Sequence, residues 1–365
     1  MKSPITFWRG AVFPAAVAAT ILGGSAALAA PAQASAPAAS QNSAKFTWHK
    51  FTFVNGWKSA SSSVATGTPG WAVHDNVVYL RGAIKDTTPG SSTVFGTLPA
   101  SARPAHNLYI NIYTQDDLTG YVYIGQNGTL SANNGGNTTF ASLAAISFPL
   151  ASIATHKLAL KNGWESDQPT FGTGDPAYSV SKGIVYLSGS LADGRNGFVA
   201  TILPKAARPG HQVYLSVYTD GGTTGTLEIL PGGGIRVSGE SATGYTSLAD
   251  ISFPVAGTKW HDFKLINNWK SAAVSSPSGN PGYAVINGVV YLTGAMYEAP
   301  ADNHQWTELP AAIQPLDALE IGTYTYAGSL GLFGLYSTFA LISSLPFSNA
   351  ADYTELAALA YPLTS

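Results

Sequence analysis

The stretch FVNGW, residues 53–57, is written twice more along the chain, as LKNGW at 160–164 and LINNW at 265–269. The repetition extends outward from the tryptophans. VVYLRG, IVYLSG and VVYLTG follow each phrase and align Tyr79, Tyr186 and Tyr291, with Gly82, Gly189 and Gly294 just behind. TLPASARP, ILPKAARP and ELPAAIQP then align Leu98, Leu203 and Leu309, and each copy closes with SLAAISFP, SLADISFP or ELAALAYP. Landmarks in one order at a spacing of roughly 105 residues mark a triplicated unit, too long for a solenoid repeat and the right size for a small domain. The copies are placed at 45–150, 151–256 and 257–365, the third being divergent.

Composition narrows the class. The 365 residues carry a formal net charge of -2, 10% charged residues and no cysteine. That balance argues against nucleic acid, which wants clustered Lys and Arg, and the missing thiols exclude disulfides and Cys-type zinc sites. The 39 Gly, 22 Pro and 18 Tyr describe short strands and many turns. At the N-terminus, Lys2 and Arg9 precede an Ala-rich apolar run and two small-x-small sites, Ala27-Leu28-Ala29 and Ala32-Gln33-Ala34. Residues 1–34 therefore read as a secretory signal peptide and 35–44 as a linker, with no membrane span left after cleavage and a secreted product. A membrane anchor is the competing reading of the same run.

The expected fold is all-β: three tandem antiparallel β-sandwich or jelly-roll-like domains. NGVVYLTG (287–294) is apolar on both faces, whereas an antiparallel sheet normally keeps one face wet. One face packs inside its own domain; the other needs a partner. Two arrangements answer this, a single-chain pseudo-trimer around a threefold axis or domains strung like beads. In YINIYT, alternation puts Ile110 and Ile112 on one face and Tyr109, Asn111 and Tyr113 on the other. The second copy repeats this with Tyr214, Ser216 and Tyr218, and the third substitutes Glu320, Gly322 and Tyr324.

The run LKNGW, GIVYLSG, LPKAARPG, a G-x-L-x-I strand, a glycine turn and SLADISFP resembles the small β-domain at the ends of phage tail fibres and related baseplate receptor-binding proteins. The resemblance spans residues 45–256 and, more loosely, 257–365. It implies a domain that sits at fibre tips, trimerises, and binds host-surface glycans or caps the fibre. A leader and the lack of a fibrous shaft set this chain apart, so it reads as an exported relative with three copies fused. The third copy also departs at Asn268, at Gln314 and in a longer segment before its closing motif.

No catalytic constellation stands out. The acids share no position across the copies, and no Gly-x-Ser-x-Gly, phosphate loop or His-Glu-x-x-His motif occurs. His49, His156 and His261 share one position; they either converge on an axis as metal ligands or stand at the start of each first strand, and no metal or cofactor is expected. Trp57, Trp164 and Trp269 read as core before ligand surface. The candidate binding residues are the aromatic-polar-aromatic stripes Tyr109, Asn111, Tyr113 and Tyr214, Ser216, Tyr218, with Trp71 and the loop aromatic Trp306. Such stripes supply stacking faces with hydrogen-bonding groups between them, or alternatively line the contacts between copies. The loops 116–123, 174–179 and 296–306 are further places for recognition. The expected activity is non-enzymatic, lectin-like or adhesin-like binding of a glycan or cell-surface ligand; the alternative is an assembly module docking onto other secreted or envelope proteins.

Overall fold

The computed structural model describes residues 46–363 except 63–64, 116–117, 134–138 and 345. The expected leader and linker lie outside the described residues. The chain is all-β and antiparallel, and its described residues belong to one compact unit.

In the first copy β1 (His49–Lys50), β3 (Gly70–His74), β4 (Val77–Arg81) and β11 (Ser147–Pro149) form a four-stranded sheet in the order β1-β3-β4-β11. A seven-stranded sheet runs β2-β5-β10-β7-β8-β9-β6. Its strands are β2 (Trp57–Ser59), β5 (Ala83–Asp86), β6 (Val94–Thr97), β7 (Leu108–Thr114), β8 (Leu118–Ile124), β9 (Thr129–Asn133) and β10 (Ala141–Ser142). The second copy repeats both sheets strand for strand. In the third, the large sheet splits into a three-stranded and a four-stranded piece. The junction between them is the isolated bridge of Thr325 with Thr354, equivalent to the single pairs Thr114–Ala141 and Thr219–Thr246 of the other copies, and the longer segment includes the helix Phe347–Asp352.

The repeated NGW phrase has a local job. Asn55 and Gly56 both take positive φ, 53° and 79°, as do Asn162 and Gly163 and the Asn267–Asn268 pair. Such a turn favours Asn and Gly, whose αL conformations cost least. The Trp57 amide closes it onto the Val54 carbonyl at 3.1 Å, and the Asn55 side-chain amide donates to the Val94 carbonyl at 3.0 Å, tying the turn to β6. Asn162 and Asn267 make the same tether to Val199 and Gln305. The tryptophan is thereby delivered into its own core: Trp57, Trp164 and Trp269 are only 3%, 3% and 4% exposed. Likewise Arg103, Arg208 and Gln314 each donate to the carbonyl of the leucine five residues earlier, so the third copy keeps this bond despite its changed residue.

The strand with two apolar faces explains the assembly. Val78 and Leu80 of β4 point into the first copy's core, while Val77 and Tyr79 enter a central cluster with Ile184, Tyr186, Val289 and Tyr291 from the other copies. There the phenols of Tyr79, Tyr186 and Tyr291 come together, and burial pushes all three up, with their neighbours adding to the shift of Tyr79 and Tyr291. The copies thus close into a single-chain pseudo-trimer rather than a string of beads.

Each seam of the ring repeats one interlock. His106 of the first copy rests against Gly174 of the second, His211 of the second against Gly279 of the third, and Asp317 of the third against Gly67 of the first. The following residue adds a backbone bond across each seam: Asn107 to the Gly172 carbonyl (3.0 Å), Gln212 to that of Pro277 (3.1 Å) and Ala318 to that of Ala65 (2.8 Å). The last of these joins the third copy to the first, where no linker passes.

Candidate recognition surface

The large sheet of the first copy presents an aromatic face. Pairing of β7 with β8 sets Tyr109 opposite Tyr123 and Asn111 opposite Tyr121, and pairing of β8 with β9 adds Ser131 beside Tyr123 and Asn133 beside Tyr121. A two-residue period places all six on one side of the sheet. Tyr109, Tyr121 and Tyr123 are half-buried, and with Thr93, Ser131 and Asn133 they line an open hollow of about 260 Å3. Ring centroids lie 5.1 Å apart for Tyr109–Tyr123 and 6.5 Å for Tyr109–Tyr121. Burial pushes the Tyr109 phenol up, and the neighbouring Tyr123 and Tyr121 add to the shift. Among the described residues, the lining carries no charged side chain.

The corresponding faces of the other copies are built differently. In the second, Glu228 stands where Tyr123 does, accepts from the Tyr214 hydroxyl at 3.1 Å and pairs with Arg236 at 3.2 Å. In the third, Glu320 takes the place of Tyr109 and accepts from Tyr336 at 3.3 Å. Three tyrosines with a neutral rim therefore occur on the first copy alone among these three faces.

The stripes singled out from the sequence fall largely between copies. Tyr218 packs on Tyr109 and Tyr121 of the first copy, at 5.3 and 4.9 Å, and Tyr214 stacks on Tyr324 of the third at 5.5 Å. Tyr113 packs with Phe140 against Leu332 of the third copy. Asn111 donates to the Thr224 hydroxyl at 3.4 Å, and Asn111 and Ser216 both line a cavity of about 110 Å3 on the axis. Of the stripe residues Tyr109 has one side on a seam and another on the open hollow, a position it shares with Tyr121.

Trp306 has a fold duty. It is 0% exposed and sits in the third core, edge-on to Phe263 at 5.0 Å, at the position Phe95 fills in the first copy. Trp71 lies half-buried under His49, with centroids 4.4 Å apart. His156 and His261 stack in the same way on Tyr178 and Tyr283, each at 5.2 Å. All three histidines are exposed, so each belongs to an outer aromatic pair set by strand register and not to a shared axial site. Among the described residues, no group of three or more His, Cys, Asp or Glu is placed to hold a metal ion. Nor is any helix there long and apolar enough to cross a membrane.

Sequence reasoning passed over Tyr121 and Tyr123 as individual residues, although both lie in the segment 116–123. The signal was available: spaced by two within a strand, they share a face with the Tyr109 stripe once β7 and β8 pair. No protein-family model, curated protein or solved structure matches the chain.

Proposed function

We propose that this chain is an exported, non-enzymatic binding protein, lectin-like or adhesin-like, that takes a neutral saccharide of a cell surface on Tyr109, Tyr121 and Tyr123. The observation that carries the reading is the hollow itself, three half-buried tyrosines with hydroxyl and amide groups at the rim and no charge. Apolar faces of pyranose rings pack on aromatic faces at low entropy cost, and their hydroxyls need neutral hydrogen-bonding partners. On the resemblance to fibre-tip domains, the trimer of that family would here be fused into one polypeptide.

A second reading, docking onto other secreted or envelope proteins, draws on a different feature. Phe198 and Ile202, flanking and ending the edge strand Val199–Ile202 of the second copy, are 46% and 48% exposed. Screening the chain without residues 1–34 against bacterial, fungal and host-type glycans separates the two. Binding that disappears in Tyr121→Ala supports the saccharide reading. A blank array, with Phe198→Ser abolishing capture by a secreted protein, supports docking instead.

A further inference from the structure

The three seams are equivalent in backbone and unequal in filling. At the seam between third and first copies, the Arg81 guanidinium lies 4.4 Å from the centroid of the Trp48 ring, with Asp317 4.0 Å beyond it. Together with Leu80 and Ala144, these side chains leave a cavity of only about 30 Å3. Between first and second copies, Thr155 stands where Trp48 does, Ser188 where Arg81 does, and His106 where Asp317 does. The equivalent floor, Leu187 and Ala249, is kept, and the groove opens to about 650 Å3. Both members of a stacked pair have been exchanged for small residues in one seam, while the walls that received them remain.

From this we infer that the groove between the first and second copies is a receptor for an aromatic side chain of another polypeptide, an indole by preference. The sibling seam supplies the template, because the equivalent floor there already holds the indole of Trp48, presented from the segment just before β1. The groove volume falls in the range of ligand pockets, and its apolar walls are interrupted by the polar side chains of Thr155, Gln168, Thr173 and Ser188. Leu108, Phe148 and Leu150 supply further apolar wall, and the exposed His106 imidazole at the mouth offers a second ring to stack. At the rim, Lys157 holds the Asp175 carboxyl below its ordinary range through a 2.9 Å hydrogen bond, so the two charges offset each other. Deeper, Asp250 accepts the Ser147 amide at 2.7 Å, and burial pushes its carboxyl well up, favouring the neutral acid. Such a mouth suits an uncharged ring better than an anion. The site lies apart from the tyrosine hollow and stands whether or not that hollow binds sugar.

Saturation-transfer NMR with N-acetyl-tryptophanamide, with indole and with N-acetyl-alaninamide tests this. The expected result is transfer to the tryptophan amide and none to the alanine amide, with at least a tenfold loss of affinity in Thr155→Trp/Ser188→Arg, whose new side chains rebuild the filled seam. Where the double variant fails to fold, Ser188→Arg alone serves, with a smaller loss expected. Binding of free indole but not of the tryptophan amide overturns the polypeptide source. Equal binding to wild type and variant, or no binding of either ring, overturns the site.

Discussion

His106 and Gly174 meet across the seam of the first two copies, and a Cβ built on that glycine would lie 2.5 Å from the imidazole. Gly174 also holds φ at 75°. Gly279 repeats this against His211, where a Cβ would fall 2.8 Å from the ring, and Gly67 repeats it against Asp317. The ring is locked by one device used three times, in which a protruding side chain occupies space that only a left-handed glycine leaves free.

Gly174→Ala should therefore be costly on two counts, a strained φ and a displaced imidazole. A loss of about 2 kcal/mol is expected in urea unfolding, with His106→Ala/Gly174→Ala recovering only the steric share. Additive effects of the two changes would show that they do not form one contact.

The third copy places Asn268, at φ 63°, where the others have glycine. Asn268→Gly relieves that strain and should stabilise the protein by roughly 0.5 kcal/mol, read as a rise in urea midpoint. The reverse change, Gly56→Asn, should destabilise, since the space beside Gly56 is filled by Thr88.

Stability should fall as pH rises through the acid range. Glu355 is 1% exposed, and burial pushes its carboxyl from 4.5 up to about 7, against hydrogen bonds from Ser278 and Tyr353. A raised carboxyl value means the native state holds its proton more tightly than the unfolded chain. Its contribution is thus complete below about 4.5, shrinks between 4.5 and 7, and is gone above about 7, a change of about 3 kcal/mol. Asp250 shifts in the same direction. Glu355→Gln should flatten the dependence across this window without abolishing it, as followed by chemical denaturation from pH 4 to 8.

On the recognition face, Tyr121→Ala and Tyr123→Ala should each weaken binding of a glycan found on the array by about tenfold, with Tyr214→Phe as the neutral control. Equal losses from all three would move the site off the hollow.

At the axis, Tyr291→Phe removes one of three phenol hydroxyls gathered in a closed, buried cluster and leaves its polar neighbours less well compensated. A cost of about 1–2 kcal/mol is expected. Because the cluster belongs to all three copies, the transition should remain single, as measured by calorimetry.

Much of this was legible in the residue order. Asn-Gly-Trp spelled a turn and a core tryptophan, and the apolar Val77–Leu80 run required cover on both faces. Trp306 was harder to read. It shares a segment with polar loop residues, and its equivalence to Phe95 emerges only when the copies are aligned through Leu98 and Leu309. Tyr109 was ambiguous for another reason: one strand face serves both a seam and an open hollow, and alternation cannot divide a face in two.

By itself, then, the chain determined the triplicated β-unit, its turns and the inward side of each strand, because backbone sterics and a two-residue period act over a few neighbours. Only the tertiary structure decided that the copies close into a ring, that Thr155 and Ser188 open one seam which Trp48 and Arg81 fill in another, and that Tyr121 and Tyr123 join Tyr109. Those outcomes rest on contacts between residues distant in the chain, whose partners are chosen by packing and not by local pattern.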